Sequence, residues 1–198
     1  MNVISIVEGN GEVAALPLLL RRIGQWKTPH HFPNILHPIR VHKDRFLNKD
    51  HEFRRHVLLA SHKCAERGWI LILLDADDDC PAQLGAETLR RAKEYAPHRA
   101  ISVVIANREY EAWFIASAVS LDGKRGFCFG SVETVDAETP RDAKGWMKAR
   151  MKSCAYRETT DQAAFTASMD LEQAFQGSRS FRKLCSEWVR QFDLGCEV

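Results

Sequence analysis

Apolar residues gather in three short runs, at residues 2–7, 69–74 and 100–106. Each run is rich in Ile, Val or Leu and is shorter than a typical buried helix, which predicts strands that are buried on both faces of a sheet. Between the runs, apolar residues recur at helical spacing. Strands that alternate with helices in this way predict an α/β fold with a mostly parallel sheet and flanking helices.

Helical spacing covers residues 13–24, 50–67 and 81–96. In the second of these segments the spacing places Leu58 on the buried side of the helix. A further strand is predicted at residues 35–41, where Pro38 either interrupts the strand or places it at an edge of the sheet, because proline donates no ladder hydrogen bond.

The last third of the chain has a different pattern. Residues 120–140 are rich in Gly, Ser, Thr and Asp, which predicts a mobile loop near the functional site. Helices are predicted at residues 141–154, 160–175 and 180–192. The 198 residues therefore suit an α/β core at 1–120 and, at 121–198, a loop plus helical C-terminal extension packed on that core.

Acidic residues follow each of the three apolar runs. The carboxyl ends of parallel strands lie at one edge of a sheet, where ligands bind in open α/β folds, so these acids are expected to meet. The acids concerned are Glu8 and Glu12 after the first run, Asp75 and Asp77 to Asp79 after the second, and Glu109 and Glu111 after the third.

Asp75 and Asp77 are the first candidate metal ligands. Two carboxylates separated by one residue can converge on one divalent cation where a strand ends, and such oxygen ligands suit Mg²⁺ or Mn²⁺. The alternative is structural. Asp78 or Asp79 can cap a helix that starts at Pro81, and acids in the first turn of a helix are stabilised by its dipole.

The turn after the first run also matches a dinucleotide-binding pattern, Gly9-x-Gly11-x-x-Ala14. In that pattern, backbone amides at a helix N-terminus bind an anionic diphosphate. Glu8 and Glu12 flank the turn and would repel the diphosphate, whereas a divalent cation would reverse that interaction. We therefore favour the metal interpretation.

The formal net charge of +2 indicates no class of partner, but the charges are unevenly distributed. Lys, Arg and His are frequent between Arg21 and Lys63, beside the predicted acidic site, and this arrangement suits a polyanionic ligand. DNA is the predicted partner, with backbone contacts from the 40–63 region. The histidines of residues 30–62 lack a His-Glu-x-x-His pattern, so a structural or phosphate-contacting role is favoured over metal binding.

Cysteine usage and the N-terminal sequence point to a reducing compartment. The six cysteines include no Cys-x-x-Cys pair, so free thiols are expected rather than a zinc site or a disulfide framework. Met1 leads directly into a predicted strand without a signal sequence, and no apolar run approaches 18 residues. A cytoplasmic protein without membrane association is expected, and an oligomer remains open.

The three acidic motifs together resemble the TOPRIM family, which includes topoisomerases, bacterial primases and OLD-type nucleases. The resemblance looks closest to a largely uncharacterised bacterial family of stand-alone TOPRIM-like proteins, and by motif it covers about residues 1–120. The motifs are Val7-Glu8-Gly9-x-Gly11-Glu12, Leu74-Asp75-x-Asp77 and Arg108-Glu109-x-Glu111-Ala112-Trp113. Lys144, Thr160-Asp161-Gln162, Met169-Asp170 and residues 178–181 are similar to the C-terminal region of that smaller family.

The resemblance implies a TOPRIM or Rossmann-like sheet and a role for each acid. It implies that Glu8 acts in acid/base chemistry or holds metal, and that Asp75 and Asp77 bind Mg²⁺. Glu12 matches the spacing of the second acid in the two-metal site of OLD-type nucleases. A further acid and a lysine of that class are placed at Glu111 or Glu109 and at Lys144, with Glu109 and Lys144 as catalytic candidates.

The sequence thus predicts a metal-dependent DNA endonuclease or nickase that uses two Mg²⁺ or Mn²⁺ ions. The resemblance also implies a separate ATPase subunit that works with this chain in defence or repair. Any ATPase has to be another chain, because this chain has no Gly-x-x-x-x-Gly-Lys-Ser/Thr loop. The main alternative is a non-catalytic TOPRIM-like scaffold that binds an ATPase or nucleic acid. A metal-dependent phosphatase is less favoured, because Asp79 stands where that chemistry needs Thr or Val.

Overall fold

One parallel sheet organises the protein, whose computed structural model describes residues 1–130, 135–152 and 155–193. Its strand order is β2-β1-β4-β5, with β3 also paired to β1, and every pairing is parallel. The strands are β1 (Asn2–Val7), β2 (Asn34–Ile35), β3 (Ile39–Arg40), β4 (Gly68–Asp75) and β5 (Ala100–Ala106). The predicted α/β fold with a mostly parallel sheet is confirmed.

Helices cover both faces of the sheet. A 3₁₀ turn at Lys124–Gly126 lies between the sixth and seventh helices of the described residues. The helices are α1 (Asn10–Lys27), α2 (Lys43–Asn48), α3 (Asp50–Cys64), α4 (Pro81–Tyr95), α5 (Ala112–Ala116), α6 (Ala118–Leu121), α7 (Ala143–Ala149), α8 (Glu158–Ser168), α9 (Leu171–Gly177) and α10 (Arg179–Asp193).

The edge beside β1 is interrupted at Pro38, as predicted. β2 pairs with the beginning of β1 and β3 with its end, where Ile39 lies opposite Ile6. Since Pro38 has no amide hydrogen, the chain leaves the ladder there and rejoins it one residue later. The consequence for the site is that β3 ends beside Val7, at the same edge as the acids.

Side chains of successive strand residues alternate between two hydrophobic layers. Val3 and Leu71 contribute to the layer under α1 and the C-terminal helices, whereas Ile4 and Ile70 contribute to the layer under α2, α3 and α4. Strands buried on both faces have no polar stripe, which explains the continuous apolar runs in the sequence.

The C-terminal helices share the first of these layers with α1. Arg22 of α1 donates hydrogen bonds to the backbone oxygens of Thr166 (2.5 Å) and Met169 (2.8 Å), which lie at the end of α8. The indole of Trp188 in α10 donates to Thr28 Oγ1 at the end of α1 (2.8 Å). Helices α8 and α10 therefore pack directly on the sheet-flanking helix α1, and the domain boundary at residue 120 stays a prediction.

Several predicted helices differ in detail. The single helix at 160–175 is wrong: Met169 has an extended backbone, and Asp170 caps a separate helix, α9, by accepting a hydrogen bond from Gln173 N. Helix α7 ends at Ala149 rather than at residue 154. The inward placement of Leu58 is also wrong, because this residue is 41% exposed.

The predicted loop at 120–140 contains the 3₁₀ turn, after which Phe127 forms an isolated antiparallel bridge with Met151. Residues 131–134 of this loop, Cys154 and Cys196 lie outside the described residues. The mobility of the loop stays a prediction. Cys64, Cys80, Cys128 and Cys185 are free thiols. Among the helices of the described ranges, none has the length and apolar character needed to cross a membrane.

The α1 interface gives a test of the fold. Leu20 of α1 is fully buried, so Leu20→Ala removes packing and leaves a cavity, with an expected cost of about 2–5 kcal/mol in the free energy of unfolding. Leu59 of α3 is 39% exposed, and Leu59→Ala should change stability by roughly 0.5 kcal/mol or less. Urea denaturation of both variants measures the difference, and equal losses would contradict the packing described.

Candidate functional site

Carboxylates from neighbouring strand ends meet at one edge of the sheet. Burial raises the pKa of Asp75 well above its ordinary value, and the negative charges of Glu12, Glu111 and Glu8 raise it further. Such interactions require short distances, so the acids from three separate segments share one environment. Of the predicted acids, Glu8, Glu12, Asp75 and Glu111 therefore lie together at the carboxyl edge of the sheet.

Two left-handed residues shape the strand ends. Asp77 has a φ of 51° and Arg108 a φ of 68°, and the amide of Asp77 donates to the backbone oxygen of Arg108 at 2.9 Å. Positive φ is uncommon for residues other than glycine, and such conformations concentrate at functional sites. The amide of Tyr110 donates to Asp75 Oδ1 (2.9 Å), so the turn after β5 also orients the acid that ends β4.

Residues of the C-terminal region complete the acidic cluster. Gln162 Nε2 donates to Glu111 Oε1 (2.8 Å) and to Glu12 Oε1 (3.5 Å), and the hydroxyl of Tyr156 donates to Glu111 Oε1 (2.7 Å). Burial raises the pKa of Glu111, while the hydrogen bond from Gln162 and the charge of Lys144 partly offset this effect. Gln162 and Tyr156 thus hold Glu111 in place by hydrogen bonds that a carboxylate accepts.

The glycines of the first turn allow these side chains to approach. A Cβ atom on Gly9 would lie 2.3 Å from Glu12 Oε2, and one on Gly11 would lie 2.0 Å from Gln162 Oε1. Gly9 therefore leaves room for the side chain of Glu12, and Gly11 allows close packing of α1 against α8.

Four oxygen atoms in this cluster are buried and have no hydrogen-bond partner in the described part of the chain. They are Glu8 Oε2, Glu12 Oε2, Glu111 Oε2 and Gln162 Oε1. Buried acceptors are normally satisfied, because an unpaired one costs roughly 1–3 kcal/mol. Four unpaired acceptors at one place fit a positively charged ligand, and carboxylate and amide oxygens are the ligands that hard divalent cations prefer.

The cluster is not a closed metal cage. Over residues 1–130, 135–152 and 155–193, no group of three or more His, Cys, Asp and Glu side chains is arranged so that it could hold a metal ion as it stands. Mg²⁺, however, commonly keeps several waters and takes only one or two protein carboxylates. The residues fit a partly hydrated cation at this edge, and metal binding by Glu8, Glu12, Asp75, Asp77 and Glu111 stays a prediction.

Lys43 is a site residue that the sequence patterns did not single out. Its buried ammonium group lies 2.5 Å from Asp77 Oδ2, and its positive charge lowers the pKa of Glu8, which burial raises more strongly. The Asp77 side chain is 62% exposed, so it lies at the rim of the cluster. Lys43 follows β3, and the rule that parallel strands deliver functional residues from their carboxyl ends would have indicated it.

Lys144 and Glu109, the two catalytic candidates from the core and the extension, lie together. The amide of Lys144 donates to Glu109 Oε2 (2.8 Å), and its ammonium group lies 3.2 Å from Glu158 and 3.8 Å from Glu109. Burial works to lower the pKa of Lys144, but the charges of Glu111, Glu158 and Glu109 outweigh burial and raise it. Lys144 is therefore a fixed positive charge at neutral pH.

Asp78 connects two loops rather than capping a helix. The N-cap of α4 is Cys80, and neither Asp78 nor Asp79 caps this helix, so that structural alternative is wrong. Asp78 accepts from Arg141 Nε (3.0 Å) and Nη2 (2.5 Å) and from Arg108 Nη1 (3.2 Å). The hydrogen bond from Arg141 is the main cause of the lowered pKa of Asp78.

The raised pKa of Asp75 predicts a pH-dependent instability of the metal-free protein. The folded state holds the Asp75 proton more tightly than the unfolded state, so stability is full below the ordinary carboxyl pKa and declines as pH rises above it. Asp75→Asn keeps an oxygen that can accept from Tyr110 N and removes the charge. In EDTA at neutral pH this variant should melt higher than the parent by a few degrees, about 2–4 °C per kcal/mol.

Asp79→Asn is the matched control, because Asp79 is exposed in the same turn. It should leave the melting temperature unchanged across the pH range. The advantage of Asp75→Asn should shrink towards pH 4, where the parent carboxyl is protonated too. An equal gain at all pH values would contradict the electrostatic cause.

Comparison with known proteins identifies the family of this chain. No curated protein and no solved structure matches the chain. The model of one protein family matches residues 7–188, a range that includes every acid of the cluster together with Lys43, Lys144 and Gln162. The chain therefore belongs to the family described as Domain of unknown function (DUF4276).

Proposed function

We propose that this protein is a metal-dependent phosphodiesterase that acts as a DNA endonuclease or nickase. The observation that carries the proposal is the group of four buried, unpartnered oxygens of Glu8, Glu12, Glu111 and Gln162. Carboxylates left together without cations repel one another and take up protons, as the raised pKa of Asp75 indicates. A site that retains them at one strand edge is suited to divalent cations.

Glu8, Glu12, Asp75 and Glu111 are the residues that would hold Mg²⁺ or Mn²⁺, and Asp77 stands at the rim. A pair of such ions supplies an activated water and offsets the charge that develops on a phosphodiester during in-line displacement. This donor set is shared between the core and α8, because Gln162 hydrogen-bonds both Glu12 and Glu111.

The chain's own residues would perform the remaining tasks. Burial raises the pKa of Glu8, and a higher pKa makes a carboxylate a stronger acceptor for a proton from water. Lys144 stays protonated, so it would stabilise negative charge on the phosphate and would not act as a base. The carboxylate of Glu109 accepts the Lys144 amide hydrogen bond and thereby fixes the start of α7 beside the site.

A non-catalytic scaffold is the second candidate, and a specific observation favours it. In the described ranges the acids have internal cationic partners, Lys43 for Asp77 and Lys144 for Glu109, and they form no three-acid metal group. A protein that only binds an ATPase subunit or nucleic acid would need no more than this. Binding of Mn²⁺ that requires Glu8, Asp75 and Glu111 together separates the two functions.

Cleavage of supercoiled plasmid tests the proposal directly. The purified protein should nick or linearise plasmid in Mn²⁺ or Mg²⁺, and EDTA should abolish the activity. Glu111→Gln keeps the oxygen that accepts from Tyr156 and Gln162 but removes the charge, and its rate should fall by about 10²-fold or more, as expected when charge stabilisation at the reacting centre is lost. Gel quantification of the open-circular and linear forms gives the rates.

Glu87→Gln is the control for this substitution, since Glu87 lies on the exposed surface of α4, paired with Arg90. It should cut like the parent. If Glu111→Gln cuts as well as Glu87→Gln while both remain folded, the acidic cluster is not the catalytic site. If the parent binds Mn²⁺ and never cuts any nucleic acid tested, the scaffold function is favoured.

A further inference from the structure

A cavity lies directly beside the acidic cluster. It has a volume of about 510 Å³, within the range of pockets that hold small ligands, and Glu8, Gly9 and Asp77 form one side of it. Its lining also includes Arg40, the last residue of β3, and His42 and Arg45, which follow that strand. One cavity is thus lined by both carboxylates and basic side chains.

Arg40 and Arg45, the two arginines that line the cavity, are available for a ligand. Both are exposed, and across the described ranges neither guanidinium group has an ion pair or a side-chain hydrogen bond. A neighbouring cavity of about 170 Å³ is also lined by Arg40, His42 and Arg45, together with Glu52 and His56 of α3. Asp44 also lines the larger cavity.

Lys43 also lines this cavity. Its ammonium group is buried and bonded to Asp77, which neutralises the rim carboxylate that would otherwise face an incoming anion. The guanidinium groups of Arg40 and Arg45 remain as the unpaired positive charges of the cavity. Guanidinium groups bind phosphate oxygens through paired, charge-assisted hydrogen bonds.

The far end of the basic region does not share this position. Helix α3 runs away from the site and ends at Cys64, whose thiol lies 3.8 Å from the backbone oxygen of Asn2 at the opposite edge of the sheet. Since β4 has eight residues, that edge is about 25 Å away at roughly 3.3 Å per residue. Lys63 and His62 are therefore remote from the acids, whereas Arg40 and Arg45 border them.

We propose that the cavity between Glu8 and Arg45 is a phosphate subsite, in which Arg40 and Arg45 bind a backbone phosphate of a single nucleic-acid strand next to the acidic cluster. The inference rests on the proposed function for the identity of the strand, and it narrows the predicted DNA contact from the whole 40–63 region to Arg40 at the end of β3 and Arg45 just after it. The subsite fixes where the adjoining phosphodiester lies relative to Glu8.

Fluorescence anisotropy with the full chain tests the subsite. The probe is a short labelled single-stranded oligonucleotide, measured in EDTA and again in Ca²⁺. The double variant R40Q/R45Q should bind the probe about tenfold more weakly or worse, because two charge-assisted contacts are lost. The slope of log K against log salt should become shallower by about 1.4, the value for two phosphates on a single strand.

Arg54→Gln is the matched control, because Arg54 is an exposed arginine of the same basic region on α3 and lines neither cavity. It should change the affinity less than twofold. An equal loss with Arg54→Gln would show diffuse attraction to the basic face and would overturn the subsite, as would an unchanged affinity in the double variant. If equimolar inorganic phosphate displaces the oligonucleotide, the cavity binds the free anion, and the proposal that it binds a nucleic-acid strand is wrong.

The binding test of the subsite and the cleavage test of the proposed function can fail independently of each other. If the parent never cleaves but loses oligonucleotide binding through R40Q/R45Q, the nuclease is wrong and the subsite is right. If the double variant binds and cleaves like the parent, the subsite is wrong and the nuclease stands. Manganese binding should be the same in the parent and the double variant, which excludes damage to the acidic cluster.

Discussion

The concentration of negative charge at one edge of the sheet is the constraint on which the rest of this structure depends. Carboxylates that are taken out of water raise one another's pKa and favour the protonated form unless positive charge or hydrogen-bond donors approach them. Neighbouring acids add to the effect of burial on the pKa of Asp75 and Glu8, and burial alone raises the pKa of Glu111. The neighbouring parts of the molecule supply the compensation: Lys43 from the segment after β3, Lys144 from α7, and Gln162 from α8.

This compensation is incomplete, and the remainder is chemically informative. Lys43 and Lys144 lie beside Asp77 and Glu109, at the margins of the cluster. The unpartnered oxygens belong instead to its buried members, Glu12 and Glu111 among them. Positive charge at the rim and unsatisfied acceptors in the interior form an arrangement suited to a mobile cation at the centre. Because Lys43 neutralises Asp77 at the rim, the adjacent cavity at Arg40 and Arg45 suits an anion.

The sequence predicted the sheet and the acids well because both follow from simple rules. Apolar runs of strand length marked β1, β4 and β5, and the acids after them meet because parallel strands end at one edge. Gln162 and Tyr156 as partners of Glu111 could not be predicted, since their contacts join segments 51 and 45 residues apart. The break at Met169 was missed because apolar spacing continues across it, and only the capping side chain of Asp170 marks the new helix.

The close approach of Gln162 to Gly11 also determines when the site can exist. The two elements that meet there, α1 and α8, are far apart along the chain, and Gln162 is 150 residues beyond the glutamate that it contacts. During synthesis β1 and α1 therefore emerge from the ribosome long before their last hydrogen-bond donor. Until then the acids lack the amide of Gln162 and the phenol of Tyr156, so the acidic cluster is complete only after residue 162 has been made.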